Sequence, residues 1–239
     1  MNTVRTVSDT KKDFYLGFPK PVNQVYRRVV DELLVEIHLL KVNQTFVYDS
    51  IFALGLVTTF DRFTMGYKPE TDRFAVFHAL CSALQFDSDR IRQDATTLSD
   101  LATRSPNDIK PLLTALDSGL SLEPLSEQLQ TIAHKENFKY SRLLGVGLYA
   151  LLEISNPDEI VDNAKREEVI KLVGETMKFG GDRLLKDIDL YRTNLDKIEQ
   201  GRQMIADMVD AERKKRAQKE AALVSGATTE PTSDTPDKV

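Results

Sequence analysis

Two stretches of this chain, residues 49–65 and 143–154, are apolar around almost their whole circumference when wound as helices. The first carries Ile51, Phe52, Leu54, Leu56, Val57, Phe60 and Phe63, and the second reads LLGVGLYALLEI. A helix with no polar face has to lie in the middle of a body, enclosed by other elements. Both stretches fall short of the roughly 20 apolar residues that a bilayer-spanning helix needs, so they predict core helices and not membrane spans. Helical periodicity dominates from about residue 20 onward, and no segment keeps up the alternation of an amphipathic strand. The expected fold class is therefore all-α, a compact helical bundle. Gly55, Gly145 and Gly147 sit inside the two central helices, where each costs roughly 1 kcal/mol relative to alanine. Two compensations stay open: a close approach of the two helices, or glycines facing a large side chain such as Phe60 or a neighbour of Tyr149.

The surrounding segments read as amphipathic helices with clear punctuation. Pro19 and Pro21 precede a segment whose Val22, Val25, Val29, Leu33, Ile37 and Leu40 fall three or four apart, with Arg27, Arg28, Asp31, Glu32 and Glu36 on the opposite face. Thr71 or Asp72 is placed to cap a helix carrying Phe74, Phe77, Cys81 and Leu84, and Ser88 one carrying Ile91, Ala95 and Leu98. Pro106, Pro111, Gly119 and Pro124 cut the next stretch into short pieces. Asn156, Pro157 and Glu159 together predict a helix start with a capping box, running to about Lys178 before Gly180 and Gly181 stop or bend it.

From Arg183 the character changes. Leu184, Ile188, Tyr191, Leu195, Ile198, Ile205 and Val209 follow a heptad spacing broken at Arg202, which predicts a long coiled-coil-like helix. It ends in a basic cluster of Arg213, Lys214, Lys215, Arg216 and Lys219. The expected organisation is an N-terminal extension over 1–18, a helical body over 19–180, the long helix over 181–223 and a disordered tail over 224–239, whose residues offer almost nothing to bury.

Composition narrows the function classes. A net charge of -5 over 239 residues does not describe a nucleic-acid binder, and the basic cluster lacks neighbouring aromatic residues for base stacking. The first ten residues mix Arg5 with Asp9 and hold no apolar run, so neither a secretory signal nor a basic transit peptide is expected. The single cysteine, Cys81, precludes an internal disulfide, suits a reducing compartment, and sits in an apolar run that predicts a buried, inert thiol. His38, His78 and His134 fall in separate predicted helices, so no metal site and no cofactor is expected. No phosphate-binding glycine loop is present. Asp61 and Arg62 interrupt the first apolar helix and should be ion-paired or reach the rim of the bundle. A catalytic site near Asp61, Arg62 and Tyr67 is the alternative reading of the same residues. The basic cluster is the candidate contact for a partner protein or an anionic lipid surface, and equally fits a solvated helix end.

Three strings of residues carry a specific resemblance. YDSIFALGLVTTFDRFTMGYKPETDRFAVFHALCSAL over 48–84, FKYSRLLGVGLYALLEI over 138–154 and TVSDTKKDFYLGFPKPVNQVYRRVVDELLVE over 6–36 resemble the thylakoid formation protein family, from Thr6 to about Lys219. The resemblance implies an all-helical factor of thylakoid biogenesis and photosystem II repair, peripheral on the cytoplasmic side of the membrane, supporting FtsH-type membrane protease complexes. It implies no catalytic residues, and the start of the chain looks like that of a cyanobacterial member. Self-association through the heptad seam and a lipid-binding role in shaping thylakoid membranes remain the alternatives.

Overall fold

The computed structural model describes residues 5–226, apart from the side chains of Ile205 and of residues 219–226. Eleven helices and no strand occur among the described residues. In chain order they are α1 (Val7–Gly17), α2 (Gln24–Lys41), α3 (Ser50–Phe63), α4 (Glu70–Ala83), α5 (Ser88–Arg104), α6 (Pro106–Thr114), α7 (Leu125–His134), α8 (Arg142–Ser155), α9 (Pro157–Val161), α10 (Asn163–Thr176) and α11 (Gly181–Gly226). The chain divides into two compact units, Met1–Leu195 and Asp196–Val239.

The two apolar segments form α3 and α8, which pack against each other more extensively than any other pair in the first unit. Polar residues just outside each segment start them. The Asp49 carboxylate accepts from the Phe52 amide at 2.7 Å, and the Ser141 hydroxyl accepts from the Leu144 amide at 3.1 Å. The two helices run antiparallel, with Ile51 against Gly147 and Gly55 against Leu143. A Cβ on Gly55 would stand 1.7 Å from the Leu143 carbonyl oxygen, and one on Gly147 would stand 2.0 Å from the Ile51 carbonyl oxygen. Each glycine thus receives the backbone of the other helix, a spacing at which Cα–H groups reach carbonyl oxygens. Gly145 follows the other compensation: its Cβ would meet the Tyr140 hydroxyl at 2.7 Å and a Leu184 methyl at 2.9 Å.

Around this pair, α5 packs on α3 and α8, α6 packs on α8, and α1 packs on α4 and α2. The 1–18 segment, expected to be an extension, belongs instead to the first unit as α1. A reciprocal cap between Thr6 and Asp9 starts it, and Phe14, fully buried, ties it down together with Phe18. Thr10 also reaches the buried His38 ring at 2.9 Å. Within α1 Thr10 and Phe14 are the buried residues, too few to give a periodic signal, and the local mark of this helix is the Thr6 and Asp9 spacing of its capping box.

Other boundaries shift for equally local reasons. Asp87 caps α5 in place of Ser88, and α4 starts at Glu70 with Asp72 turned to Lys20 at 2.7 Å. The helix expected from Asn156 to about Lys178 breaks at Asp162, whose carboxylate caps α10 through the Lys165 amide. Glu159 does not close a capping box, because it pairs across the body with Lys110 at 2.5 Å. Lys178 adopts φ 60°, its amide returns to the Glu175 carbonyl and that of Phe179 to the Gly174 carbonyl, ending α10 in a left-handed turn, and Gly180 at φ 83° then turns the chain into α11.

The long helix is present as α11, but its opening turns belong to the body. Leu184, Ile188 and Tyr191 are buried in the same core as α3 and α8, and Tyr191 stacks on Phe63. The division into units therefore falls after Leu195 and not at 180. The expected tail over 224–239 lies outside the described residues beyond 226.

Candidate interaction surfaces

Asp61 and Arg62 form two separate structural pairs. Asp61 receives Arg73 at 2.9 Å and both terminal nitrogens of Arg92 at 3.0 and 3.1 Å, and Arg92 also lies over the Phe77 ring at 4.1 Å. Arg62 pairs with Glu153 of α8. The Tyr67 hydroxyl accepts the Asn23 amide at 3.3 Å and its ring packs on Tyr26. Each of the three residues of the alternative catalytic reading is thus engaged in holding helices together at the rim of the bundle.

Cys81 is fully buried, and burial pushes its thiol up to about 12, so little nucleophilic thiolate forms at neutral pH. His38 meets Thr10, His78 meets the Ser88 hydroxyl at 3.0 Å, and His134 meets the Gln130 carbonyl at 2.9 Å, each in a different helix. No cluster of three metal-ligating side chains occurs among the described residues. No helix among them is long and apolar enough to cross a membrane.

The basic cluster lies in the second unit, on the later turns of α11, where Arg213, Lys214, Lys215 and Arg216 are all exposed. The side chain of Lys219 lies outside the described residues. Four consecutive residues at 3.6 per turn surround a helix, so the cluster forms a charged collar and not a single basic face. Along the heptad seam, Leu195 and Ile198 are half-buried and Val209 is exposed, while Ile205 lies outside the described side chains. Met204 and Met208, one turn apart, are 64% and 63% exposed, giving this unit an uncovered apolar strip beside its charges.

The body carries a second surface that the sequence did not mark. A groove of about 990 Å³ runs along the polar face of α2, opposite the 139–142 segment that leads into α8 and the first turns of α11. Its charged lining is Lys11, Arg27, Arg28, Lys139, Arg142 and Arg183 against Asp31, Glu32, Glu36 and Asp187. Arg142 grips Glu36 through two nitrogens, at 2.6 and 3.2 Å, and Arg28 holds Glu32 at 2.8 Å. Lys11 and Arg27 share Asp31 at 3.2 and 3.9 Å. The Tyr140 hydroxyl donates to Asp187 at 2.8 Å, and burial, followed by this carboxylate, raises its pKa. Arg183 lies 4.5 Å from the Tyr140 ring centroid, and neither it nor Lys139 has a carboxylate at ion-pair distance among the described residues. Against the groove lies an apolar cavity of about 60 Å³, walled by Val29, Leu33, Phe63, Leu143, Val146 and Leu190, and sharing Glu32, Glu36, Arg142 and Asp187 with it. In sequence the charges of α2 look like an ordinary solvated face. Only folding sets Lys139, Arg142 and Arg183, drawn from distant segments, across from them.

An all-helical body built on a glycine-to-carbonyl crossing of two apolar helices, continued by a long charged helix, defines the class. The chain belongs to the thylakoid formation protein family, whose family profile matches residues 6–220. It is similar to Protein Thf1 of Trichormus variabilis, 48% identical over 221 residues that cover 92% of this chain and 95% of that protein. Protein Thf1 of Acaryochloris marina is 44% identical over 241 residues, covering 99% of this chain and 96% of that protein. Among solved structures, that of Psb29 matches with a TM-score of 0.76 at 41% identity, covering 89% of this chain and 99% of that one.

Proposed function

We propose that this protein is a non-catalytic accessory factor that serves photosystem II repair by supporting FtsH-type membrane protease complexes through protein contacts, peripherally on the cytoplasmic side of the thylakoid. Membership of the thylakoid formation protein family supports the membrane system in which it acts. The observation that carries the contact is α11 beyond Leu195, where exposed Met204, Met208 and Val209 precede the collar of Arg213, Lys214, Lys215 and Arg216. Exposed methionines adapt to varied apolar surfaces, and a basic collar attracts acidic partners or anionic headgroups. The structural pairing of Asp61 and Arg62 and the buried Cys81 favour this reading over a helical enzyme.

The test is a pull-down of the tagged full chain from gently solubilised thylakoids beside a deletion that begins at Asp196. A deletion from Leu184 would strip Leu184, Ile188 and Tyr191 from the core and confuse unfolding with lost contact. Recovery of an FtsH-type protease with the full chain and its loss on the deletion is the expected result. No protease with either chain overturns direct support. Binding of the full chain to anionic liposomes that salt abolishes, together with such a failure, would replace it with a lipid-binding role.

A further inference from the structure

We propose that the groove along α2 is a docking site for an acidic polypeptide segment that carries an apolar anchor side chain. Its residues are distinct from the basic collar of α11, so the site adds a second contact to the proposed function without depending on it.

Charge and shape point the same way. The protein has a net charge of -5, yet the groove holds two more cations than carboxylates. All four of its carboxylates are already held, Glu36 by Arg142, Glu32 by Arg28, Asp31 by Lys11 and Asp187 by Tyr140. Lys139 and Arg183 have no carboxylate of their own, and Arg27 has only a shared one at 3.9 Å. Fixed cations on concave low-dielectric walls focus the potential, so an entering carboxylate meets attraction without first breaking an internal pair. The site is a trough and not a flat face, which fits a chain segment better than a bilayer surface. Leu39 stands 57% exposed in it, and the apolar cavity beside the Arg142–Glu36 bridge offers an aliphatic or aromatic side chain a place to lose its water.

The experiment uses the full chain and fluorescence anisotropy of a short fluorescein-labelled peptide of acidic pairs separated by single leucines. Two control peptides replace the acids by lysine or the leucines by serine. The expected result is saturable binding of the acidic leucine peptide, weakened by salt and by either replacement. A double variant, Lys139→Glu with Arg183→Glu, should weaken it about tenfold or more while leaving the far-ultraviolet circular dichroism unchanged, since both side chains are exposed. Leu39→Ser, a second exposed change, should weaken it without altering the salt dependence. A collar variant with Arg213, Lys214, Lys215 and Arg216 all changed to alanine should bind the peptide normally. Equal binding of the lysine peptide, or binding untouched by the groove variants and lost in the collar variant, overturns the proposal and leaves the proposed function standing. If anionic-lipid vesicles bind with the same dependence on Lys139 and Arg183 and the peptide does not, the occupant is a membrane and the proposal also fails.

Discussion

Replacing Gly55 by alanine should damage this protein far more than a single added methyl group usually does. The new Cβ would lie 1.7 Å from the Leu143 carbonyl oxygen. An acceptable carbon-to-oxygen contact is about 3.3 Å, so α3 and α8 would have to separate by about 1.6 Å. Neither side can yield alone, because the obstacle is backbone held in the α8 hydrogen-bond ladder and not a side chain with another rotamer. A gap of half to one ångström already forfeits a quarter to a half of each dispersion contact, and these two helices share the most extensive packing in the body. Overpacking costs typically about 1–3 kcal/mol and more where nothing relaxes, so a cost of about 4 kcal/mol is expected here. The helix-propensity gain of alanine over glycine returns about 1 kcal/mol. The net loss of about 3 kcal/mol should lower Tm by about 6–12 °C in a unit of this size. Thermal melts by circular dichroism on three variants provide the check. Gly145→Ala meets only side chains, the Tyr140 hydroxyl and Leu184, and should lose less, while Gly201→Ala meets nothing within 4 Å and should lose nothing. If Gly55→Ala and Gly201→Ala melted alike, the helix crossing would not be what the glycines are for.

Two further outcomes test the unit boundary and the helix cap. Leu184→Ala, in the core, should cost about 2–4 kcal/mol in denaturant unfolding, whereas Met204→Ala, in an exposed turn of the same helix, should stay within about 0.5 kcal/mol; equal effects would move the boundary. Burial pushes the Asp49 carboxyl up to about 6 from 3.8, against the opposing hydrogen bonds from Phe52 and Ile51, so the folded state binds its proton more tightly than the unfolded chain. Its contribution is therefore fully present below about pH 4 and is lost as pH rises through about 6. Asp49→Asn keeps the capping oxygen without the charge and should be more stable than the wild type by about 1–2 kcal/mol at pH 8, after allowing for its partial exposure. That advantage should shrink on acidification to pH 4 in melts followed across the range, and a variant less stable at pH 8 would reject burial as the dominant influence.

Much of the architecture was legible because it rests on local pattern. A helix with apolar residues all round has one place to go, so α3 and α8 were readable as the centre before any partner was known. The glycines within them left open a close helix approach or a facing large side chain, and Gly55 and Gly147 took the first and Gly145 the second. The pairing of Asp61 and Arg62 followed from the cost of an unpaired charge near a core. The resemblance supplied the family, and the profile and relatives carry it over most of the chain. Where reading failed, the governing interaction was long-range. Residues 7–17 show little periodicity, and α1 exists because it packs on α4 and α2 with Phe14 fully buried and because Thr10 finds His38. Glu159 was placed to cap its own helix and instead answers Lys110, many residues away.

The amino-acid sequence alone determined the class of fold, the two central helices, the long charged helix and its basic end, since each depends on neighbours within a few residues along the chain. Tertiary structure decided which carbonyl each glycine meets, how much of the heptad seam is core, and the existence of the groove along α2. The reason is physical: a periodic pattern states that a face will be buried but not against what. Leu184 and Met204 are both apolar residues of α11, yet only packing against α8 buries the first and leaves the second in water.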